Sequence, residues 1–257
     1  MSSLDRSVIT PDWPLPKGVC ALVTTRFGGK SSAPYDTLNV GDHVGDSPQA
    51  VAQNRAILQA KVGASVRLNW LEQTHSTHCI ELSGAQSLPI AQTDAAWTAL
   101  EQQACVVMTA DCLPILLCQR NGEHIAAIHA GWKGLVDGII QQTLSQIAAP
   151  ASEFRAWIGP SITQSCFEVG SEVIESINAL DLSYQSLSAL NENGRYQLDL
   201  AAVAEQELRK YGVTEIVQSG LCSYQDVRFY SYRQACHQGV PSGATGRMAT
   251  LIWKTGG

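Results

Sequence analysis

An α+β fold, with layered mixed β-sheets and helices packed on them in one domain spanning 1–257, is predicted by three features of this sequence. Strand-like and helix-like segments intermix without the strict βαβ alternation of a doubly wound fold. No stretch is rich enough in Gly, Ser or Pro to mark a linker. Apolar residues make up 45% and charged residues 16% of 257 positions, enough to build a large core without disulfides.

The elements follow from local pattern. Gly18–Arg26 is apolar, β-branched and runs into Gly28-Gly29, which predicts a strand entering a turn. Ser47–Gly63 predicts a helix: Ser47 stands where an N-cap belongs, Pro48 at the first helical position and Gly63 just past the end. Val66–Gln73 reads as a strand leading into the polar Thr74–His78. Ala104–Arg120 is almost continuously apolar but interrupted by Asp111 and Pro114, so it is one buried strand or two pieces with a central break. Glu123–Ala130 reads as another buried strand, followed through Gly131 and Gly134 by helical spacing over 135–149. Further strands are expected at Glu153–Gly159, Thr214–Gly220, Val227–Arg233 and Arg247–Lys254. Helices are expected over 171–180 and 199–212, the second closed by Gly212.

Composition narrows the function. A net charge of -6 disfavours a general nucleic-acid or anionic-membrane binder, since both need a cationic surface. No apolar run approaches the roughly 18 residues of a membrane span, and the start has no basic stretch leading into an apolar leader core. The expectation is a cytoplasmic protein, monomer or homodimer, with no nucleic-acid or membrane partner. None of the eight cysteines forms a CxxC pair, so most are expected to be reduced and buried.

Three side chains with metal-binding chemistry sit at the ends of strand-like segments: His75, Cys112 and His129. Catalytic zinc typically takes three protein ligands, favours imidazole and thiolate, and keeps one position open. On chemistry alone this trio competes with a blander reading, two hydrogen-bonded histidines and a buried thiol. Gly131-Trp132-Lys133-Gly134 follows His129 directly and opens a helix, so free amides and Lys133 could hold an anion; an ordinary turn with a solvated lysine is the alternative. Near the N-terminus Arg26 could clamp a phosphate or carboxylate, and Asn39, His43 and Asp46 lie in a glycine-rich loop suited to ligand contact or to plain turn chemistry. Arg233 and Arg247 could add cationic groups.

Together these segments resemble one family. QTHS (73–76), TADCLPILL (109–117), HAGWKGL (129–135), WIGPSI (157–162), FEVG (167–170), FYSYR (229–233) and TGR (245–247) look like the signature blocks of the laccase-domain family, and TTRFGG (24–29) and LNVGDHVGD (38–46) like its N-terminal blocks. That family is also described as multicopper polyphenol oxidase-like, as purine nucleoside phosphorylase and as peptidoglycan editing factor. The resemblance implies that His75, Cys112 and His129 bind Zn2+ at the active site, with Cu2+ as an alternative, and that Arg26 lies near the substrate pocket. It implies phosphorolysis of adenosine, inosine, guanosine or methylthioadenosine to free base and ribose 1-phosphate, and deamination of adenosine. Phosphate would then rest on Arg26, Lys133 and the helix N-terminus. Asp111 would be an acid or base, or a carboxylate that orients a metal-bound histidine. Two departures stand out: Lys133 where relatives usually carry Arg, and a single Arg233 followed by Gln234 where they carry two arginines.

Three other readings compete. Cys112 as a thiolate nucleophile with His129 or His75 as base would suit amide cleavage in a peptidoglycan precursor. Copper-dependent polyphenol oxidation is opposed by only six histidines and no HxH pair. A metal-binding interaction protein would bind zinc without nucleoside turnover.

Overall fold

The apolar run at 104–120 folds as two strands that belong to different sheets, and the short link between them carries Asp111 and Cys112. In the computed structural model, residues 6–256 are described; the first five residues of the segment inspected for a leader lie outside them, as does Gly257. Along the chain come β1 (Val8–Ile9), β2 (Val19–Thr24), α1 (Pro48–Val62), β3 (Arg67–Asn69), β4 (Cys79–Glu81), β5 (Ala95–Thr98), β6 (Gln103–Thr109), β7 (Leu113–Gln119) and β8 (Ile125–Ala130). There follow α2 (Trp132–Val136), α3 (Ile139–Gln146), β9 (Phe154–Ile158), β10 (Glu168–Val169), α4 (Ser171–Leu180), β11 (Ser188–Leu190) and β12 (Tyr196–Leu198). The chain closes with α5 (Leu200–Lys210), β13 (Glu215–Gln218), α6 (Tyr232–His237) and β14 (Met248–Lys254).

Among the described residues these strands form three sheets. One has the order β1-β2-β14-β6-β3, the second β13-β9-β7-β8-β5-β4, and a small antiparallel sheet has the order β10-β12-β11. The large sheets mix directions: β3 is parallel to β6, β4 to β5 and β13 to β9, while the remaining pairs are antiparallel. The α+β expectation holds.

Side-chain alternation stacks the layers. Leu58 and Val62 of α1 pack on Leu22, Val106 and Leu251 of the first sheet. The opposite face of that sheet, with Val23, Cys105, Val107 and Ile252, meets Leu116, Cys118, Ile125 and Ala127 of the second. The far face of the second sheet, with Ile115, Leu117 and Ile128, packs under α3, α4 and α5. The central strands are therefore covered on both sides, which is why their sequences read as unbroken apolar runs. Leu116 is fully buried between the sheets. Leu116→Ala should cost about 2–5 kcal/mol in a denaturant titration, because the rigid layers collapse little around a cavity.

Helix α1 follows its sequence signals. The Ser47 hydroxyl accepts a hydrogen bond from the Ala50 amide, Pro48 opens the helix, and Gly63 ends it at φ 110°. Two expectations fail. The helical stretch at 135–149 is split between α2 and α3 by Gly138 at φ 90°, a left-handed residue that no α-helix accommodates. Val227–Arg233 is not a strand: Ser231 caps the short helix α6 by accepting from Gln234 N, and the Tyr230 amide meets the Met248 sulfur rather than a ladder carbonyl. Tyr230 and Phe229 are buried by loop packing. No described helix is long and apolar enough to cross a membrane.

Candidate metal centre

The sheet register brings the three predicted ligands to one end of the six-stranded sheet. Pro114 of β7 faces His129 of β8, so Cys112, two residues earlier, lies at the end of this strand pair beside Gly131. Cys112 belongs to the link, residues 110–112, by which the chain leaves the first sheet for the second. Asp111 turns in that link at φ 97°, strained backbone for a residue with a Cβ. His75 enters from the loop before β4. Its Nε2 lies 3.7 Å from Cys112 Sγ, and its ring stands edge-on to that of His129 with centroids 4.8 Å apart. One ligand atom from each of His75, Cys112 and His129 lies within 4.8 Å of the other two. Donors about 2.0–2.3 Å from a shared tetrahedral centre sit roughly 3.5 Å apart, so small side-chain rotations close the trio on an ion.

Asp94 organises this trio. It begins the turn into β5 opposite His129 and is fully buried. Its Oδ1 accepts from His129 Nδ1 at 2.8 Å and from the His75 amide at 3.1 Å. Its Oδ2 accepts from the amides of Thr74 (3.1 Å) and Ser76 (2.7 Å) and from the Ser76 hydroxyl at 2.7 Å. Three successive amides thus wrap one carboxylate, and His75 takes φ 60° to do so. Burial alone would raise the Asp94 pKa, but the hydrogen bonds from His129 and Ser76 outweigh it and hold the carboxyl at about 2. The bond at Nδ1 leaves His129 Nε2 facing Cys112 and free to ligate.

The donors suit a cation. Burial pushes the Cys112 thiol up, yet hydrogen bonds with His129 and His75 more than reverse this and bring it to about 6, so it is readily available as thiolate. Burial lowers His129, whereas Asp94 and Cys112 raise it to about 9. A half-buried thiolate with two imidazoles, one backed by a carboxylate, is a donor set that a metal ion completes.

Gly131 leaves room for the ligands. A Cβ there would stand 2.9 Å from His75 Cδ2 and 3.1 Å from Cys112 Sγ. Its backbone, at φ -73° and ψ 168°, is open to any residue. Gly131→Ala should therefore leave the thermal midpoint nearly unchanged while weakening metal affinity by at least about tenfold, read by competition with a chelator.

The trio lies in the wall of a cavity of about 670 Å³. Lys133, Arg233 and Arg247 line it too, so three cationic residues share the cavity with the trio in a protein of negative net charge. Arg233 is held by its Nη1 on the Glu168 carbonyl (2.8 Å) and by stacking on Phe167 at 5.4 Å. Arg247 donates Nη1 to the Thr245 and Gly246 carbonyls. His43, half-exposed, lines the same space, and burial and Arg247 lower its pKa.

The other predicted residues are engaged with the protein's own groups. Arg26 is not in the cavity wall: its Nε donates to the Asp36 carbonyl, its Nη2 pairs with the Asp36 carboxylate at 3.2 Å, and its guanidinium lies over Tyr230. Asn39 is fully buried, with its Oδ1 accepting from the Gly41 and Arg247 amides, so it holds the Arg247 backbone from behind. Asp111 lines the cavity, but Oδ1 accepts from Ser223 Oγ and Oδ2 from the Arg233 amide, both at 2.7 Å. The histidine-orienting carboxylate is Asp94, which the sequence reading missed. The one available signal was an acidic residue directly before the apolar Ala95-Ala96-Trp97, where a buried charge demands a partner. Helix α2 spans five residues, too short to offer the expected N-terminal anion site.

A layered α+β fold carrying a His-Cys-His cluster beside a cationic cavity defines the class: a protein with a candidate metal centre built across two sheets. The chain belongs to the family described as multi-copper polyphenol oxidoreductase laccase, whose model matches residues 20–255. A Pseudomonas aeruginosa protein named purine nucleoside phosphorylase is 42% identical over 247 residues, covering 95% of this chain and 97% of its own. Purine nucleoside phosphorylase YfiH of Escherichia coli is 40% identical, with 96% and 98% covered. The crystal structure of Neisseria meningitidis protein NMB0706 superposes with a TM-score of 0.90 at 39% identity, over 97% of this chain and all of the other.

Proposed function

We propose that the protein is a zinc-dependent purine nucleoside phosphorylase. It would convert adenosine, inosine, guanosine or methylthioadenosine and phosphate to free base and ribose 1-phosphate, and would also deaminate adenosine. The observation that carries this reading is the placement of the His75, Cys112 and His129 cluster in a cavity with three cations, in a chain matched nearly end to end by relatives named for this activity.

His75 Nε2, Cys112 Sγ and His129 Nε2 would hold the ion. When bound, zinc supplies a Lewis acid that stabilises developing negative charge and eases loss of a proton from water. The protein's own groups do the rest. Arg233 and Arg247, fixed by backbone carbonyls, bind the phosphate dianion and aim one oxygen at the anomeric carbon. Lys133 adds a mobile charge from the rim. The apolar wall, including Met108, Ile162 and Phe167, takes the purine ring. Asp111 keeps both oxygens on Ser223 and the Arg233 amide, so it positions Arg233.

A donor set of two imidazoles and one thiolate suits zinc and copper alike. A laccase-type centre needs several coppers, and one three-ligand group is found among the described residues. Elemental analysis of the purified protein, run beside an assay with adenosine and phosphate, tests the proposal. Adenine with ribose 1-phosphate reports phosphorolysis, and inosine reports deamination. Full metal occupancy with no product from any of the four nucleosides would sink it; several coppers per chain with phenol turnover would replace it.

A further inference from the structure

Besides the histidines, three aromatic side chains line the metal cavity: Trp132, Phe167 and Tyr232. Two of them are engaged. Phe167 is buried and lies under the Arg233 guanidinium at 5.4 Å, and half-buried Trp132 carries the Lys133 ammonium at 5.6 Å. Tyr232 is different. It is 47% exposed, the one exposed Phe, Tyr or Trp among the described residues. Among those residues no second ring and no cation stacks on it. A residue that both lines a cavity and faces solvent stands where the cavity opens. A large aromatic ring left uncovered at such a place is a contact surface for a molecule from outside the chain.

Tyr232 is held in place although its ring is exposed. The Arg233 amide, one peptide further along, donates to Asp111 Oδ2 at 2.7 Å, and Asp111 directly precedes Cys112. Ser231, one residue earlier, accepts from the Gln234 amide at 3.0 Å, and Gln234 Nε2 donates to the Tyr224 carbonyl at 2.6 Å. Gly243 closes in on the ring itself: a Cβ there would stand 2.6 Å from Tyr232 Cε2 and 3.1 Å from Cδ2. The backbone of Tyr232 is thus tied to the link that carries a metal ligand. One ring edge rests on Gly243, and the remainder of the side chain supplies the exposure. A ring fixed in this way loses little further freedom when a ligand settles on it.

We propose that Tyr232 is the platform on which the base of the nucleoside stacks, and that this contact selects bicyclic bases over monocyclic ones. The inference rests on the nucleoside reading of the cavity and says which side chain reads the base. A planar heteroaromatic ring laid on a tyrosine face gains dispersion and sheds water whatever substituents it carries at its edge. Face contact therefore accepts 6-amino and 6-oxo purines alike, in keeping with the mixed substrate set proposed above. It discriminates by area, because a purine covers more of the ring than a pyrimidine does. Met108, Ile162 and Phe167 border the same base from the cavity wall.

The test is a calorimetric titration of the full-length, metal-loaded protein with inosine, and then with uridine, in phosphate-free buffer where phosphorolysis cannot run. The wild-type chain is expected to bind inosine at least about tenfold more tightly than uridine, and Tyr232→Ala to lose about 5- to 100-fold in inosine affinity with little change for uridine. Tyr232→Phe keeps the ring and drops the hydroxyl, so it should hold inosine within about threefold of wild type. Metal content and thermal midpoint, measured on each variant, check that the substitution left the fold intact. Unchanged inosine affinity in Tyr232→Ala would overturn the proposal. So would an equal loss in Tyr232→Phe, or an alanine variant that weakens inosine and uridine alike. Failure of the phosphorylase reading has a separate signature: inosine binds and Tyr232→Ala weakens it, yet added phosphate yields no hypoxanthine.

Discussion

Cys112→Ala is expected to lose metal and nucleoside turnover together. Cys112 is the one anionic donor in the trio, since both other ligands are imidazoles. Without it a divalent cation would meet two imidazoles and no compensating charge, and the space left beside Gly131 would fill with water. The variant to compare is Cys112→Asp, which restores a charged oxygen ligand of similar reach. If Cys112 is a ligand, the aspartate variant regains measurable metal and some turnover. If Cys112 is instead the nucleophile of a thiol hydrolase, the aspartate variant is as inactive as the alanine one, wild-type protein ignores chelators, and alkylation destroys its activity. One metal ion per chain and full turnover in Cys112→Ala would remove this residue from the centre altogether.

Asp94→Asn should weaken metal binding by about 10–100-fold although Asp94 touches no ion. Each carboxylate oxygen accepts at least two hydrogen bonds: Oδ1 from His129 Nδ1 and the His75 amide, Oδ2 from Thr74, Ser76 and the Ser76 hydroxyl. Asparagine has one oxygen and one NH2 group. Whichever way the amide turns, its N–H points at donors, either at the histidine or at the loop amides. One orientation frees His129 to rotate and change tautomer; the other unwraps the loop that carries His75. The buried mismatch should also cost roughly 2–4 kcal/mol of stability. Chelator competition and denaturant unfolding measure the two effects. An asparagine variant with wild-type affinity would show that the carboxylate serves only the fold.

The parts of this protein legible in its sequence are those encoded over long, regular windows. Helix α1 announced itself through Ser47, Pro48 and Gly63, and the 104–120 run through its apolar content with a break at Asp111. Strands of two or three residues, such as β4, β10 and β11, are shorter than any periodicity can mark. The 227–233 segment misleads because Phe229 and Tyr230 are aromatic for packing under a loop, and β propensity measures fit to a half-buried surface rather than a strand as such. At the site, His75, Cys112 and His129 stand out as metal-binding residue types at strand ends, but chemistry alone leaves a blander reading open and it is the family resemblance that singles them out. Asp94 does not stand out, because a carboxylate that serves by accepting hydrogen bonds carries no pattern of its own. Arg26 and Asn39 looked like ligand contacts, but their polar atoms are spent on loop backbone and on Asp36.

The link between the two large sheets has a thermodynamic meaning apart from catalysis. His75 comes from a loop, Cys112 from the sheet-to-sheet link and His129 from the end of an interior strand, so the three donors converge only when both sheets are assembled. An ion bound there favours the folded chain over the unfolded one by mass action, about 2.7 kcal/mol when free metal is a hundred times its dissociation constant. Metal supply would then govern how long each molecule survives proteolysis as well as whether it turns over, and a chelated sample should melt earlier than a loaded one even with no substrate in the tube.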